Sequence, residues 1–377
     1  MGAVIAGTGL YTPAQGISNA ELVESYNRFV EKYNAENASA IEVGEVEALQ
    51  PSSVEFIEKA SGIKHRYVLD KQGVLDVNRM RPSLETRGED QLSWMAEMAV
   101  EAGRQALEAA GLTAQDVDGV ICAASNMQRA YPAMAVEIQD ALGIDGWGFD
   151  MNVACATAVF GIDSAVSQIL SGQSKCILMV NPEITSAHLN FQRRDCHFIF
   201  GDVCTAAVIA HSDLAGLGTG PQWDIKGVKL KTKFSNNIRN DFGFTNRAEA
   251  QPRADWDLVF RQDGRRVYRD VVPMVAELMK AQLGQAEIET GAVSRFWLHQ
   301  ANRHMNDSIC ERVLGSKLDQ LEPGKAPVVL DEYANTSSAG CLIAFHKHQE
   351  NLSGGDLGMI CAFGAGYSIG SAIVQKR

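Results

Sequence analysis

The chain has 377 residues, 46% of them hydrophobic and 21% charged, enough to bury one or two sizeable cores and ordinary for a globular protein. A net charge of −12 argues against nucleic acid or an anionic membrane as the main partner, and no apolar run approaches the roughly 18 residues a membrane helix needs. Eight cysteines without a C-x-x-C pair and eight histidines without H-x-x-x-H spacing predict mostly buried free thiols, a reducing cytoplasm and no metal site.

The start, Met1-Gly-Ala-Val-Ile-Ala-Gly, lacks the basic region and long apolar core of a signal peptide, and Ala3 to Gly7 reads as a strand. Polar, irregular stretches at about 26–51 and 70–89 read as insertions covering the core. A helix is expected from Asp90 to Ala110, a strand from Gly119 to Ala124 and a helix from Ala133 to Leu142. Trp147 to Val153 is a short apolar run. Ala156 to Leu170 follows, rich in Ala, Val, Ile and Leu and ended by Ser171-Gly172; this is a helix apolar on most of its surface and therefore buried. Cys155 falls at or just before its first turn, where free N–H groups and the helix dipole stabilise an anion; a lowered thiol pKa is the expectation.

Strands are expected at Cys176 to Val180 and Thr205 to Ala210. The Gly-rich segment His211 to Pro221 then divides the chain into halves, 1–214 and 215–377. Arg261-Gln-Asp-Gly-Arg265-Arg266-Val-Tyr-Arg269 opens a helix running from Arg265 to Leu283; its arginines read equally as a solvated helix start or as a docking patch, with Arg303 nearby. Val293 to Leu298 is strand-like, His299 follows it, and Asn302 to Leu314 is helical up to Gly315. Pro327 to Asp331 is another short apolar run, placed before Asn335 and a helix from Ser338 to Gln349. Met359 to Phe363 and Tyr367 to Gln375 are strand-like runs flanking Gly364-Ala365-Gly366, where glycine permits a tight turn close to a ligand.

This alternation implies an α/β fold, and both halves repeat the order helix, strand, motif, helix, strand. Three motifs, Asn152-Val-Ala-Cys155-Ala-Thr-Ala158, Leu298-His299-Gln300-Ala301-Asn302 and Tyr333-Ala334-Asn335-Thr336-Ser337, fall where a strand gives way to a helix, the edge at which open α/β sheets bind ligands. A thiol, an imidazole and a carboxamide on one edge make a site for thioester chemistry. Taken singly, His299 reads equally as a core histidine, and the alternative for Asn335 is a residue that caps or turns its loop.

The three motifs in this order, with Ser125-Asn-Met-Gln-Arg-Ala-Tyr131-Pro132-Ala, Phe200-Gly201-Asp202-Val-Cys-Thr-Ala-Ala-Val208 and the closing Ala362 to Ala372, resemble the β-ketoacyl-acyl carrier protein synthases of type III, in the thiolase-like superfamily. The resemblance implies a five-layered αβαβα fold of two pseudo-duplicated halves, and a homodimer. It implies a decarboxylating Claisen condensation in fatty-acid or related polyketide biosynthesis. Cys155 takes an acyl group from acyl-CoA or an acyl-acyl carrier protein, malonyl-acyl carrier protein (malonyl-ACP) loses CO₂, and the carbanion attacks the acyl-cysteine.

His299 and Asn335 would stabilise the enolate, and the backbone N–H groups of Cys155 and Gly366 would form the oxyanion hole. Tyr131, Phe56, Gly364 and Asn302 would bind substrate, Tyr131 as the aromatic residue a dimer partner inserts at the acyl pocket, or else merely packing before Pro132. Arg269, with Arg265 and Arg303, would meet the acidic carrier protein. No cofactor is implied beyond CoA or phosphopantetheine carrying the substrates.

One departure stands out. A Trp and an Arg that hold the adenine of coenzyme A in the family are here Phe56 and Ala60, so the guanidinium plane is missing and a primer longer than acetyl, or unusual, is expected. Two alternatives are a non-decarboxylating acyltransferase or thioester hydrolase on the same scaffold, and a non-catalytic subunit, which would be expected to lose one of the three site residues.

Overall fold

The computed structural model describes residues 2–317 and 324–377; Met1 of the expected N-terminal run lies outside the described residues. Nine strands form one continuous sheet. The first half contributes, from the edge inward, Trp147–Met151, Gly119–Ala123, Cys176–Glu183, Val203–His211 and Ala3–Tyr11. The first three are mutually parallel and the last two antiparallel. The second half continues through Trp223–Ser235, Gly366–Lys376, Leu357–Gly364 and Val293–Leu298. Within the sheet the halves meet through two residue pairs, Val4 with Asp224 and Ile5 with Trp223.

The side-chain period of two sorts each strand between two cores. In Gly119–Ala123, Ile121 and Ala123 enter the central core, while Val120 and Cys122 enter an outer one. The central core encloses the helices Thr157–Leu170 and Gly340–Lys347 between the two half-sheets. Trp94–Ala110 and Met134–Leu142 cover the outer face of the first half, and Gly264–Gln285 and Arg303–Leu314 that of the second. Helix, sheet, helix, sheet, helix makes five layers. The outer contact of the first half is close: a Cβ on Gly9 would lie 2.0 Å from the Ala102 carbonyl oxygen, so the helix packs directly on backbone.

The second half repeats the strand directions of the first, but among the described residues it has no counterpart to the Trp147–Met151 edge strand. The expected run Pro327 to Asp331 occupies that place and is not a strand; the chain turns into a short helix, Leu330–Tyr333. Pro327 has no N–H to give a ladder. Two donors just beyond it, Val329 N and Leu330 N, go instead to Gln300 Oε1 at 3.0 and 3.2 Å.

The stretch 26–51 also departs from expectation. Much of it belongs to a regular helix, Asn19–Glu36, opened by a capping box between Ser18 and Glu21. Its buried Leu22, Tyr26 and Val30, at helical spacing, belong to one core with Phe198, Ile199 and Phe200. The stretch 70–89 is irregular apart from Lys71–Leu75. The strand Trp223–Ser235 went unrecognised because its alternation is broken. Ile373 pairs with Gly227 and Val374 with Ile225, so Lys226 bulges out, and Ile225 and Val228 both reach the core three positions apart.

Candidate active site

Cys155 lies two residues before the Thr157–Leu170 helix, on a loop tied at every step. Asn152 Nδ2 donates to Ser125 O (2.8 Å), Asn152 Oδ1 accepts from Ala154 N (2.9 Å), and Val153 N donates to Thr157 Oγ1 (2.8 Å). Ala154 takes a left-handed φ of 49°, a strained conformation for alanine that turns the loop toward the second half. There the backbone meets the end of Leu357–Gly364. A Cβ on Gly364 would fall 2.5 Å from the Cys155 Cβ and 3.1 Å from its Sγ, so only glycine fits. Of the eight cysteines, all free, Cys155 is the partly exposed one; the other seven are buried.

His299 follows Val293–Leu298, its N–H donating to Cys361 O (2.8 Å) and its ring edge-on to Phe363 at 5.2 Å. Asn335 follows the Leu330–Tyr333 turn and accepts on Oδ1 from Ser337 N (2.9 Å). With Oδ1 so engaged, the Asn335 NH₂ group is the end left to act as a donor. Ser337 in turn donates its hydroxyl to Cys155 Sγ at 3.3 Å. Cys155, His299 and Asn335 all wall one cavity of about 1430 Å³, together with Gly364 and Phe363.

The electrostatics correct one expectation. The Cys155 thiol is not lowered; burial pushes it up to about 11. The Ser337 hydroxyl and the backbone amides of Cys155 and Ala365 pull it down, and the nearby Glu183 carboxylate pushes it up. Desolvation outweighs the helix start. Burial likewise holds His299 at about 4, so its imidazole is neutral, and its Nδ1 is buried without a hydrogen bond. The resting pair is a neutral thiol and a neutral imidazole.

Phe56 and Ala60 line the cavity mouth, and Arg194 stacks directly on Phe56, its Cζ 3.9 Å over the ring, while its Nε donates to Pro51 O (2.7 Å). Nothing local in the sequence links Arg194 to Phe56. Asn302 lines the wall, its polar atoms spent on structure: Nδ2 donates to Ala60 O (2.7 Å), and Oδ1 caps Arg303–Leu314. Arg265 is on the rim, Arg269 one turn along the same helix, and Arg303 on the facing helix, where it pairs with Asp307 (3.2 Å). Acidic Asp195, Asp263 and Asp307 share the rim.

Tyr131 is not brought into the cavity of its own chain; it is 85% exposed on a turn. Ser337 and Ala365 were missed as groups facing the sulfur, although both lie inside quoted motifs. Among the described residues no helix is long and apolar enough to cross a membrane.

A partly exposed cysteine, an uncharged histidine and a donor asparagine on a doubled α/β scaffold fit a thiolase-like condensing enzyme. Family comparison gives the particular branch. The 3-oxoacyl-[acyl-carrier-protein (ACP)] synthase III model matches residues 149–231, and the model of its C-terminal part matches 283–376. A β-ketodecanoyl-[acyl-carrier-protein] synthase of Pseudomonas aeruginosa is 56% identical over 355 residues, covering 94% of this chain and 100% of the relative. A β-ketoacyl-[acyl-carrier-protein] synthase III of Acidiphilium cryptum is 33% identical over 74% of this chain and 83% of its own.

In fold, the priming β-ketosynthase of the R1128 polyketide pathway superposes with a TM-score of 0.77 at 24% identity, covering 99% of this chain and 96% of its own. The synthase III of Pseudomonas aeruginosa PAO1 gives 0.76 at 21%, covering 100% and 98%. The chain belongs to the β-ketoacyl-acyl carrier protein synthase III family and is a condensing enzyme, a transferase serving fatty-acid synthesis.

Proposed function

We propose that the enzyme loads a medium-chain acyl group, centred on eight carbons, onto Cys155 and extends it with malonyl-ACP. The supporting observation is the shared cavity of Cys155, His299 and Asn335 with Ser337 on the sulfur. A neutral His299 accepts the thiol proton as Sγ attacks the primer thioester, so the thiolate exists only during reaction. The oxyanion is held by the N–H groups of Cys155 and Gly366, and His299 returns the proton to the departing carrier thiol. In the second half-reaction His299 and the Asn335 NH₂ donate to the malonyl thioester oxygen. CO₂ leaves, and the carbanion displaces Cys155. Removing one such donor typically costs about 2.7–4 kcal/mol in the transition state.

Chain length follows from the relative's product. Condensation adds two carbons, so a β-ketodecanoyl product needs an eight-carbon primer. The cavity wall of Phe198, Ile199, Phe200, Ile238 and Phe260 suits an alkyl chain. A second copy completes the site: the Trp147–Met151 strand is an open sheet edge with all five residues half-buried, and Tyr131 is free to reach across. Arg265, Arg269 and Arg303 meet the carrier protein. The halves divide at 214/215, in the connection between Val203–His211 and Trp223–Ser235. The work is cytoplasmic, and the chemistry draws on no cofactor beyond the carrier thioesters.

CO₂ release from malonyl-ACP, measured against saturated primers of two to twelve carbons, tests this reading. The rate is expected to peak near eight carbons; efficient use of acetyl with no preference for longer chains contradicts it, and a Cys155→Ala protein retaining turnover contradicts the mechanism.

A further inference from the structure

One ionisable group at the site takes no part in this chemistry. Glu183, the last residue of Cys176–Glu183, is 1% exposed. Its hydrogen bonds come from two serines on different halves. Oε1 accepts from Ser125 N (2.9 Å) and from Ser338 N (3.1 Å) and Oγ; Oε2 accepts from Ser125 Oγ (2.6 Å). Ser125 holds Asn152 and through it the Cys155 loop, while Ser338 adjoins Ser337, which touches the sulfur, and lies three residues past Asn335. A hydrogen-bonded path therefore runs from Asn335 to Cys155 through one carboxylate.

The carboxylate has no ion pair among the described residues. The titratable groups that face it are thiols: Cys122 from Gly119–Ala123, Cys204 from Val203–His211, and Cys155 itself. A buried acid without a cation is costly, and burial pushes Glu183 up to about 7. Four hydrogen bonds offset that cost only in part. A glutamine would satisfy most of them without the charge, so the retained acid calls for a reason beyond packing.

We propose that Glu183 is a positioning residue that clamps the Cys155 loop and the Asn335–Ser338 loop together across the two halves, and that its charge adds to the burial that keeps the resting Cys155 a thiol. This rests on the assignment of Cys155 as nucleophile. The clamp sets the sulfur against Ser337 and His299, and the charge suppresses free thiolate so that proton transfer to His299 waits for a bound thioester.

The full-length enzyme, E183Q and E183A are compared in two ways. One is the pH dependence, from pH 6 to 10, of Cys155 alkylation by iodoacetamide, followed by intact mass. The other is kcat and KM for malonyl-ACP with an octanoyl primer. E183Q is expected to alkylate at least threefold faster than wild type at pH 8, its profile displaced to lower pH, while keeping most of kcat. E183A is expected to lose at least tenfold in kcat with little change in KM, so that glutamine rescues what alanine removes. An E183Q alkylation profile that overlays the wild type overturns the proposal even if E183A fails to fold, as does an E183A protein with full kcat. Wild-type enzyme alkylated on Cys155 yet still turning over would instead overturn the nucleophile assignment itself.

Discussion

Cys155 and His299 follow strands and Asn335 follows a short helical turn, and their chemistry is decided by what surrounds them more than by what they are. All three were legible as motif residues, because each sits beside small or polar neighbours at the end of an apolar run. Their ionisation was not legible. A helix start stabilises an anion, yet inside the cavity desolvation outweighs it and leaves the thiol at about 11. Sequence position reveals the dipole but not the depth.

Two consequences belong at this scale. Because His299 is held at about 4, below its ordinary 6.5, folding favours the neutral ring. The stability it contributes is present above pH 6.5 and is lost as pH falls through about 4. The malonyl-ACP decarboxylation rate should therefore stay flat from pH 8 to 5.5, whereas an inflection near 6.5 would mean an exposed imidazole. Gly364→Ala places a methyl 2.5 Å from the Cys155 Cβ and should cut kcat by about 100-fold, as a misplacement of ~1 Å can, with a folded circular-dichroism spectrum; near-normal turnover would show slack the packing does not offer.

Elements with uninterrupted periodicity were readable, and those modified by a distant side chain were not. Val293–Leu298 matches its expected bounds residue for residue. The strand Trp223–Ser235 hid behind a one-residue bulge, and the Pro327 to Asp331 run lost its strand to Gln300, whose amide captures the backbone donors. The helix Asn19–Glu36 carried its capping box and its Leu22, Tyr26, Val30 stripe in plain view; its polar outer face obscured them. That helix supports the Phe198–Phe200 wall of the cavity, so it is part of the core rather than a cover. Leu22→Ala should lower unfolding free energy by about 2–5 kcal/mol in a denaturant titration, the range for a fully buried leucine. A loss below ~0.5 kcal/mol would mark the helix as a loosely held insertion.

At the scale of the whole molecule, duplication explains why the site lies where it does. Each half-sheet ends its inner strands at the same edge, and packing the halves around two buried helices brings both edges together. The first half supplies the sulfur and the second the imidazole and the amide; neither half holds a site alone. The sheet ends at Val293–Leu298 on one side and at Trp147–Met151 on the other, and the second of these edges is the one a partner copy would cover. Sedimentation at micromolar concentration should accordingly give a species of two 40.9 kDa chains, and Tyr131→Ala should keep that mass while losing its preference for eight-carbon primers. A monomer with full activity would remove the partner from the account.

The central claim is that one sulfur carries the acyl group between the two half-reactions. Peptide mass mapping after incubation with octanoyl thioesters, in the absence of malonyl-ACP, addresses it directly. The account predicts an octanoyl adduct on the peptide containing Cys155, discharged when malonyl-ACP is added and absent from Cys155→Ala. An adduct on any other residue, or turnover with no acyl-cysteine formed, would contradict it.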